Sequence, residues 1–344
     1  MKKIFAAILA MTVLMTACSS GTSSAPASSA SVSSAAASSG SAAAEPAAEK
    51  IKIGLVQMME HPSLDEIREA ILAELAVQGY DDSKVEIDYQ NGQGDMNNLN
   101  TIAQKFVGDE VDMIIAIATP AAQSAAAATD SIPIIFSAVT DPVDAGLVAD
   151  LSAPDRNLTG TSDAIAVEEI FALADRLTPG IQTYGLLYNN GESNSVSVIR
   201  EVKAALEAAG IAYEEATVVN SSEVTTAAQS LVGKVDAIFS PIDNTVAYAM
   251  PNLAQIAIEA KLPVYVAADS MVNDGGLATV GVNYTQLGKQ TAQMAAEVLS
   301  GKPVSEVPVQ VLSEYATVIN ADTAAAIGLD TALVDEILSG SAAA

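Results

Sequence analysis

The sequence predicts an α/β protein of two similar lobes, each a mainly parallel sheet flanked by helices, hinged around a central ligand cleft. Three observations predict it. From Lys52 onward short β-rich runs alternate with helical ones, the second half of the chain repeats the first, and the residues before Lys50 have the composition of an export signal and a tether.

The chain opens Met1-Lys2-Lys3, continues with an apolar stretch over residues 4–15, and reaches Thr16-Ala17-Cys18, its only cysteine. A short apolar run behind two lysines and before small residues describes a cleaved secretory signal, since a spanning helix needs about 20 apolar residues. A lone cysteine at the cut resembles the acceptor cysteine of bacterial lipoproteins. Residues 1–17 are therefore expected to be a lipoprotein signal peptide, with Cys18 lipidated; ordinary cleavage near Ala17 is the lesser alternative. Residues 18–49, nearly all Ser, Ala, Gly and Pro, cannot bury a core and read as a flexible tether.

Residues 51–58 read as a buried strand. Ser63-x-x-Glu66 reads as a capping box, and Leu64, Ile67, Ile71, Leu72 and Leu75 form a helical stripe ending at Gly79. Val85, Ile87 and Tyr89 alternate as a strand, and Gly92-Gln93-Gly94 reads as a turn. Leu99, Ile102, Ala103, Phe106 and Val107 make the next helical face, and residues 112–118 a central strand. Strands and helices in this order imply parallel sheets with helices on both faces.

The repeat makes it two lobes. Ala103-Gln104, Val107-Gly108 and Val111-Asp112 recur, with one residue fewer, as Ala228-Gln229, Val232-Gly233 and Val235-Asp236. Each copy leads to a proline-introduced strand, after Pro133 and Pro263, and each begins with a matching pair, Ile53-Gly54 and Tyr184-Gly185. Two Rossmann-like lobes follow. The first is expected over residues 50–158 plus about 284–308, and the second over 159–283 plus about 309–344. The chain then crosses between them near residues 157–162, 281–284 and 308–312.

Composition excludes several functions. Residues 1–17 hold two lysines and no acid, so without them the formal charge of −27 becomes −29. Such a surface repels nucleic acid and anionic headgroups. With His61 the only histidine and Cys18 outside the folded part, a thiol nucleophile and a His- or Cys-rich metal or haem site are excluded. No Gly-x-Ser-x-Gly elbow, Walker sequence or dinucleotide fingerprint occurs. No cofactor and no metal site is expected, although the abundant carboxylates leave a Ca²⁺ site open by composition alone. An exported hydrolase using carboxylates stays open as the enzyme alternative.

Ligands in open parallel sheets bind beyond the carboxyl ends of the strands. Thr119 lies seven residues after Asp112, and Asp243 seven after Asp236, so the repeat sets them on opposite walls. Thr119 reads as an N-cap before Pro120 and Ala121, where free N–H groups and the helix dipole suit a carboxylate. Asp141, after Ser137, and Asn194 with Ser195 read as similar turns. Asp243, followed by Asn244 and Thr245, and Asp269 end second-lobe strands and suit an ammonium. Anion-binding turns and carboxylates converging on one cleft point to a zwitterion. In the first loop Met58 and its neighbour Met59 offer polarizable walls for an aromatic ring, with Glu60 and His61 closing from above.

Several stretches resemble one family: Glu60-His61-Pro62-x-Leu64-Asp65, Tyr89-Gln90-Asn91-x-Gln93-Gly94-Asp95, Thr119-Pro120-Ala-Ala-Gln123, Thr140-Asp141-Pro142-Val143, Gly160-Thr161-Ser162-Asp163 and Asp243-Asn244-Thr245. They are similar to ABC-transporter substrate-binding lipoproteins of the tryptophan/tyrosine-type (TrpX-like) group, over essentially residues 50–329. The resemblance implies a type I periplasmic-binding-protein architecture and a monomeric receptor without chemistry of its own. It also implies capture of an aromatic amino acid outside the cell and delivery to an ABC permease with a cytoplasmic ATPase, the receptor held to the membrane by its lipid anchor. A ligand-binding sensor input for a membrane signalling protein is the other binding reading. Ala267-Ala268-Asp269-Ser270 departs from the more acidic segment of similar proteins and leaves the ammonium partner open.

Overall fold

In this computed structural model residues 49–341 are described, and they belong to one compact unit. The signal, Cys18 and most of the tether lie outside them. The chain runs β1 (Ile51–Gln57), α1 (Pro62–Val77), β2 (Val85–Asn91), α2 (Met96–Gly108), β3 (Met113–Ile117), α3 (Thr119–Ala128), β4 (Ile134–Ser137) and β5 (Leu158–Ser162). It continues through α4 (Val167–Leu177), β6 (Thr183–Asn189), α5 (Ser193–Ala209), β7 (Ala212–Val218), α6 (Val224–Leu231), β8 (Ala237–Ser240), α7 (Asn244–Tyr248), α8 (Met250–Ala260), β9 (Val264–Val266), α9 (Asp269–Asn273) and β10 (Ala278–Val282). It ends with α10 (Tyr284–Leu299), β11 (Gln310–Val311), β12 (Tyr315–Ile319), α11 (Ala321–Ile327) and α12 (Thr331–Ser341). Among the described residues no helix is long and apolar enough to cross a membrane.

Two six-stranded sheets form, ordered β11-β5-β4-β3-β1-β2 and β12-β10-β9-β8-β6-β7. The strand pairs are parallel except β10 with β12. All five residues of β3 are buried, as a central strand covered on both faces requires.

The sequence repeat has a physical basis. Asp112 accepts the N–H of Lys52 at 2.8 Å and returns its own N–H to the Lys52 carbonyl at 2.8 Å; Asp236 does the same with Thr183, at 2.9 Å both ways. Each aspartate thereby ties the start of its strand to the first strand of its lobe. The paired glycines share a reason too. A Cβ on Gly54 would lie 2.6 Å from the Phe106 ring, and one on Gly185 2.8 Å from Leu231, its repeat counterpart. Only a bare backbone lets helix and strand approach this closely.

Three expectations shift. The first crossing comes after Ser162, because Leu158–Ser162 pairs with β4 in the first sheet. The last comes after Val311, because β11 pairs with β5. Ser63-x-x-Glu66 is no capping box: α1 begins at Pro62 behind His61, Ser63 donates to Ser270, and Glu66 accepts from Thr285. The second crossing lies between β10 and α10, and α10 packs on α1. That packing is tight enough that a Cβ on Gly288 would meet the Ile67 carbonyl oxygen at 2.6 Å.

Candidate ligand-binding site

The carboxyl ends of the strands in the two sheets face each other across a small cavity. The first lobe supplies His61, Ser63 and Leu64 from the turn after β1, Ala118 and Thr119 after β3, and Ala138 and Thr140 after β4. Asn194, Ile242, Asp243, Asn244, Ala247, Ser270 and Met271 face them from the second. Asp163 and Tyr284 complete the wall from the first two crossings.

Ala118 and Ala138 have φ of 80° and 55°. Left-handed backbone at a residue bearing a Cβ is strained, and such strain concentrates at functional sites. At Ala118 the turn brings Thr119 into the first turn of α3, one place inside the N-cap expected for it.

Four cavity residues carry buried polar side-chain atoms without a hydrogen-bond partner: His61 Nδ1, Thr119 Oγ1, both carboxylate oxygens of Asp163, and Asn194 Oδ1. Buried polar groups are normally satisfied, so a cluster of orphans around one cavity marks where a ligand's polar groups belong. Asp163 is 1 % exposed. Burial raises its carboxyl to about 6, opposed by the hydroxyls of Thr140 and Tyr284 beside it.

Asp243 differs. Its Oδ2 accepts from the N–H of Asn189 at 2.6 Å and from Ser195 Oγ at 2.7 Å, and its Oδ1 caps α7 through the N–H of Val246 at 2.8 Å. Burial, with the charge of nearby Glu192, raises its pKa. It is a brace of the wall with its oxygens already engaged. Ser195 is the donor that holds it.

The other expected residues separate. Asn244 lines the cavity, whereas Thr245 gives its N–H and hydroxyl to Glu192. Met58 packs in the first-lobe core, and Met59 is buried with it, so neither walls the cavity; Met271 is the methionine that does. Glu60 lines a separate outer groove with Tyr89 and Tyr248. Ala121 is fully buried within α3. Ser137 is buried against Thr291 at 2.8 Å and is spent in the core. Asp269 opens α9 and accepts the N–H of the adjacent Ser270 at 2.7 Å, away from the cavity lining, and burial raises its carboxyl.

Asp141 lies on the seam between the lobes, where its Oδ2 accepts from Ser197 at 3.2 Å. Beside it Arg200 pairs with Asp144 at 3.0 Å and Gln123 donates to Ser193 at 3.1 Å. The lobes are therefore in contact around the cavity. Among the described residues no cluster of His, Cys, Asp and Glu is arranged to hold a metal ion.

Over residues 52–343 the chain matches the family described as ABC transporter substrate binding protein. The chain belongs to this family. Substrate-binding proteins of ABC transporters work outside the cytoplasm, as receptors for the transporter. This one is 40 % identical over 286 residues to a tyrosine-binding protein of Clostridioides difficile, covering 83 % of each chain. It is 39 % identical to a Streptococcus pneumoniae ABC domain solved in complex with L-Trp, with a TM-score of 0.81 and coverage of 84 % of this chain and 98 % of that one. A ligand-free, open substrate binding protein from Clostridium difficile is 40 % identical over 81 % and 95 % of the two chains, with a TM-score of 0.64. At nearly equal identity the receptor thus follows the liganded structure more closely than the open one, in keeping with lobes drawn together.

Proposed function

We propose that this receptor captures an aromatic amino acid outside the cell, closes around it, and presents it to an ABC permease from a lipid anchor at Cys18. The observation that carries the reading is the fully buried Asp163, whose two carboxylate oxygens face a cavity without partners. Keeping a buried carboxylate ionised is costly without a cation beside it, and the ammonium of an amino acid supplies one. The ligand carboxylate goes to the Thr119 hydroxyl and the unpaired N–H groups of the first turn of α3, where the helix dipole favours negative charge. Its side chain meets Leu64, Ile242, Ala247 and Met271. The cargo of the two relatives, tyrosine in one and L-Trp in the other, supports the same choice.

A thermal-shift panel of the standard amino acids, nucleosides and sugars tests this. Ligand at about 100 times its Kd adds roughly 2.7 kcal/mol, a shift of several degrees. A shift confined to aromatic amino acids, recovered unchanged after incubation, is the expected result; no shift with any of them overturns it.

A further inference from the structure

Beneath the cavity sits Glu192, 3 % exposed, which the sequence did not single out. Its Oε2 accepts from the backbone N–H of Asn244 at 3.1 Å, from Asn244 Nδ2 at 2.6 Å and from Asn194 Nδ2 at 3.4 Å. Asn194 Nδ2 also donates to the Ile242 carbonyl at 2.7 Å. A side-chain amide has its donors on one arm and its acceptor on the other. Turning either amide around would set its oxygen against a carboxylate, so Glu192 fixes both with their oxygens directed elsewhere.

For Asn194 that leaves Oδ1 buried and unpartnered at the cavity. His61 lines the same cavity, and its Nδ1 is buried there without a partner. With the ammonium on Asp163 and the carboxylate at Thr119, Asn194 Oδ1 is the fixed acceptor that remains for the ligand's side chain.

We infer that Asn194 Oδ1 is a specificity-determining acceptor that requires an O–H or N–H donor on the aromatic side chain, selecting phenol or indole against plain phenyl. Glu192 is the positioning residue that holds it as an acceptor. The inference rests on the aromatic amino-acid reading and narrows it. A site built around a ligand donor rejects the analogue lacking it, because the protein's acceptor is then buried unpaired.

Calorimetric titration of the purified protein with L-tyrosine, L-tryptophan, L-phenylalanine and 4-fluoro-L-phenylalanine tests it. The better of tyrosine and tryptophan is expected to bind roughly 10- to 100-fold more tightly than either donor-free ring, the cost of a lost buried hydrogen bond. Asn194→Ala should bring the ratio towards one by weakening the donor ligand. Glu192→Gln should also weaken the donor ligand while leaving phenylalanine nearly unchanged, a split that general loosening would not give. Equal affinity for tyrosine, tryptophan and phenylalanine in the wild type overturns the inference while leaving the aromatic reading intact, and needs no variant to fold. Binding of none of the four overturns both.

Discussion

Ser63 Oγ at the head of α1 donates to Ser270 Oγ at the head of α9 across 2.5 Å, joining the two lobes at the wall of the cavity. Both side chains are buried, and the bond exists only while the lobes are together. Ser63→Ala removes it from the closed form alone. A net hydrogen bond of about 0.5–1.5 kcal/mol makes the expected loss in ligand affinity roughly 2- to 10-fold. Calorimetry reads the loss, and small-angle scattering of the empty variant should show a larger radius of gyration than wild type.

Asp163 and Asp243 should respond to substitution in opposite ways. Asp163→Asn is expected to abolish amino-acid binding. It should also stabilise the empty protein by about 2–3 kcal/mol at neutral pH, since a desolvated charge disappears. Asp243→Ala strips the partner from three buried donors and is expected to cost about 2–4 kcal/mol. Paired melting curves and titrations separate the two, and a stable, non-binding Asp243→Ala would reverse the assignment.

Binding should depend on pH through Asp163. Its carboxyl, at about 6 in the empty closed form and near 3.8 when unfolded, binds a proton more tightly folded than unfolded. Its protonated form therefore favours the empty fold, and that contribution is lost as pH rises from about 4 to 6. An ammonium ligand needs the ionised form. Below pH 6 each binding event should release close to one proton, and affinity should fall by up to tenfold per unit; at pH 7.5 the release should vanish. Titrations in buffers of different ionisation enthalpy measure it.

Gly288→Ala and Gly108→Ala provide a stability contrast. The added methyl at 288 meets the Ile67 carbonyl oxygen and pushes α10 off α1, at an expected cost of about 1–3 kcal/mol. At Gly108, the last residue of α2, the space is open, and alanine should stabilise by about 0.5–1 kcal/mol. Denaturant midpoints check both signs.

Cys18→Ser should move the protein from the membrane fraction to the soluble one. Fractionation with retention of the variant on membranes would remove the proposed lipid anchor.

The fold was legible because its signals are local and doubled. Asp112 with Asp236, and Gly54 with Gly185, each do the same work in the same register, and two copies of a short pattern stand out where one would not. Cavity-lining residues at strand-to-helix turns, Thr119, Asn194, Asp243 and Asn244, were legible from the ends of the strands. Asp163 and Tyr284 were not, because they lie on connections between lobes, and a connection has no periodicity to mark it. Asp163 stood in the sequence only as the end of Gly160-Thr161-Ser162-Asp163. The signal available was an acid directly after a first-lobe strand at a crossing. Glu192 escaped for a different reason: its shorter hydrogen bonds come from Asn244 and Thr245, 52 and 53 residues away. Met58 misled because β1 ends in a run of buried residues, and polarizability does not tell a core from a cavity.

Asp163 sits where the chain passes from one lobe to the other, and a group near a pivot travels least when the arms swing. The ammonium contact can therefore form while the jaws are still apart, before Ser63 has met Ser270. Capture would begin at the axle, with the side chain sampled only as the far walls arrive, so that departure of the cargo is timed by reopening and not by the strength of its first handhold.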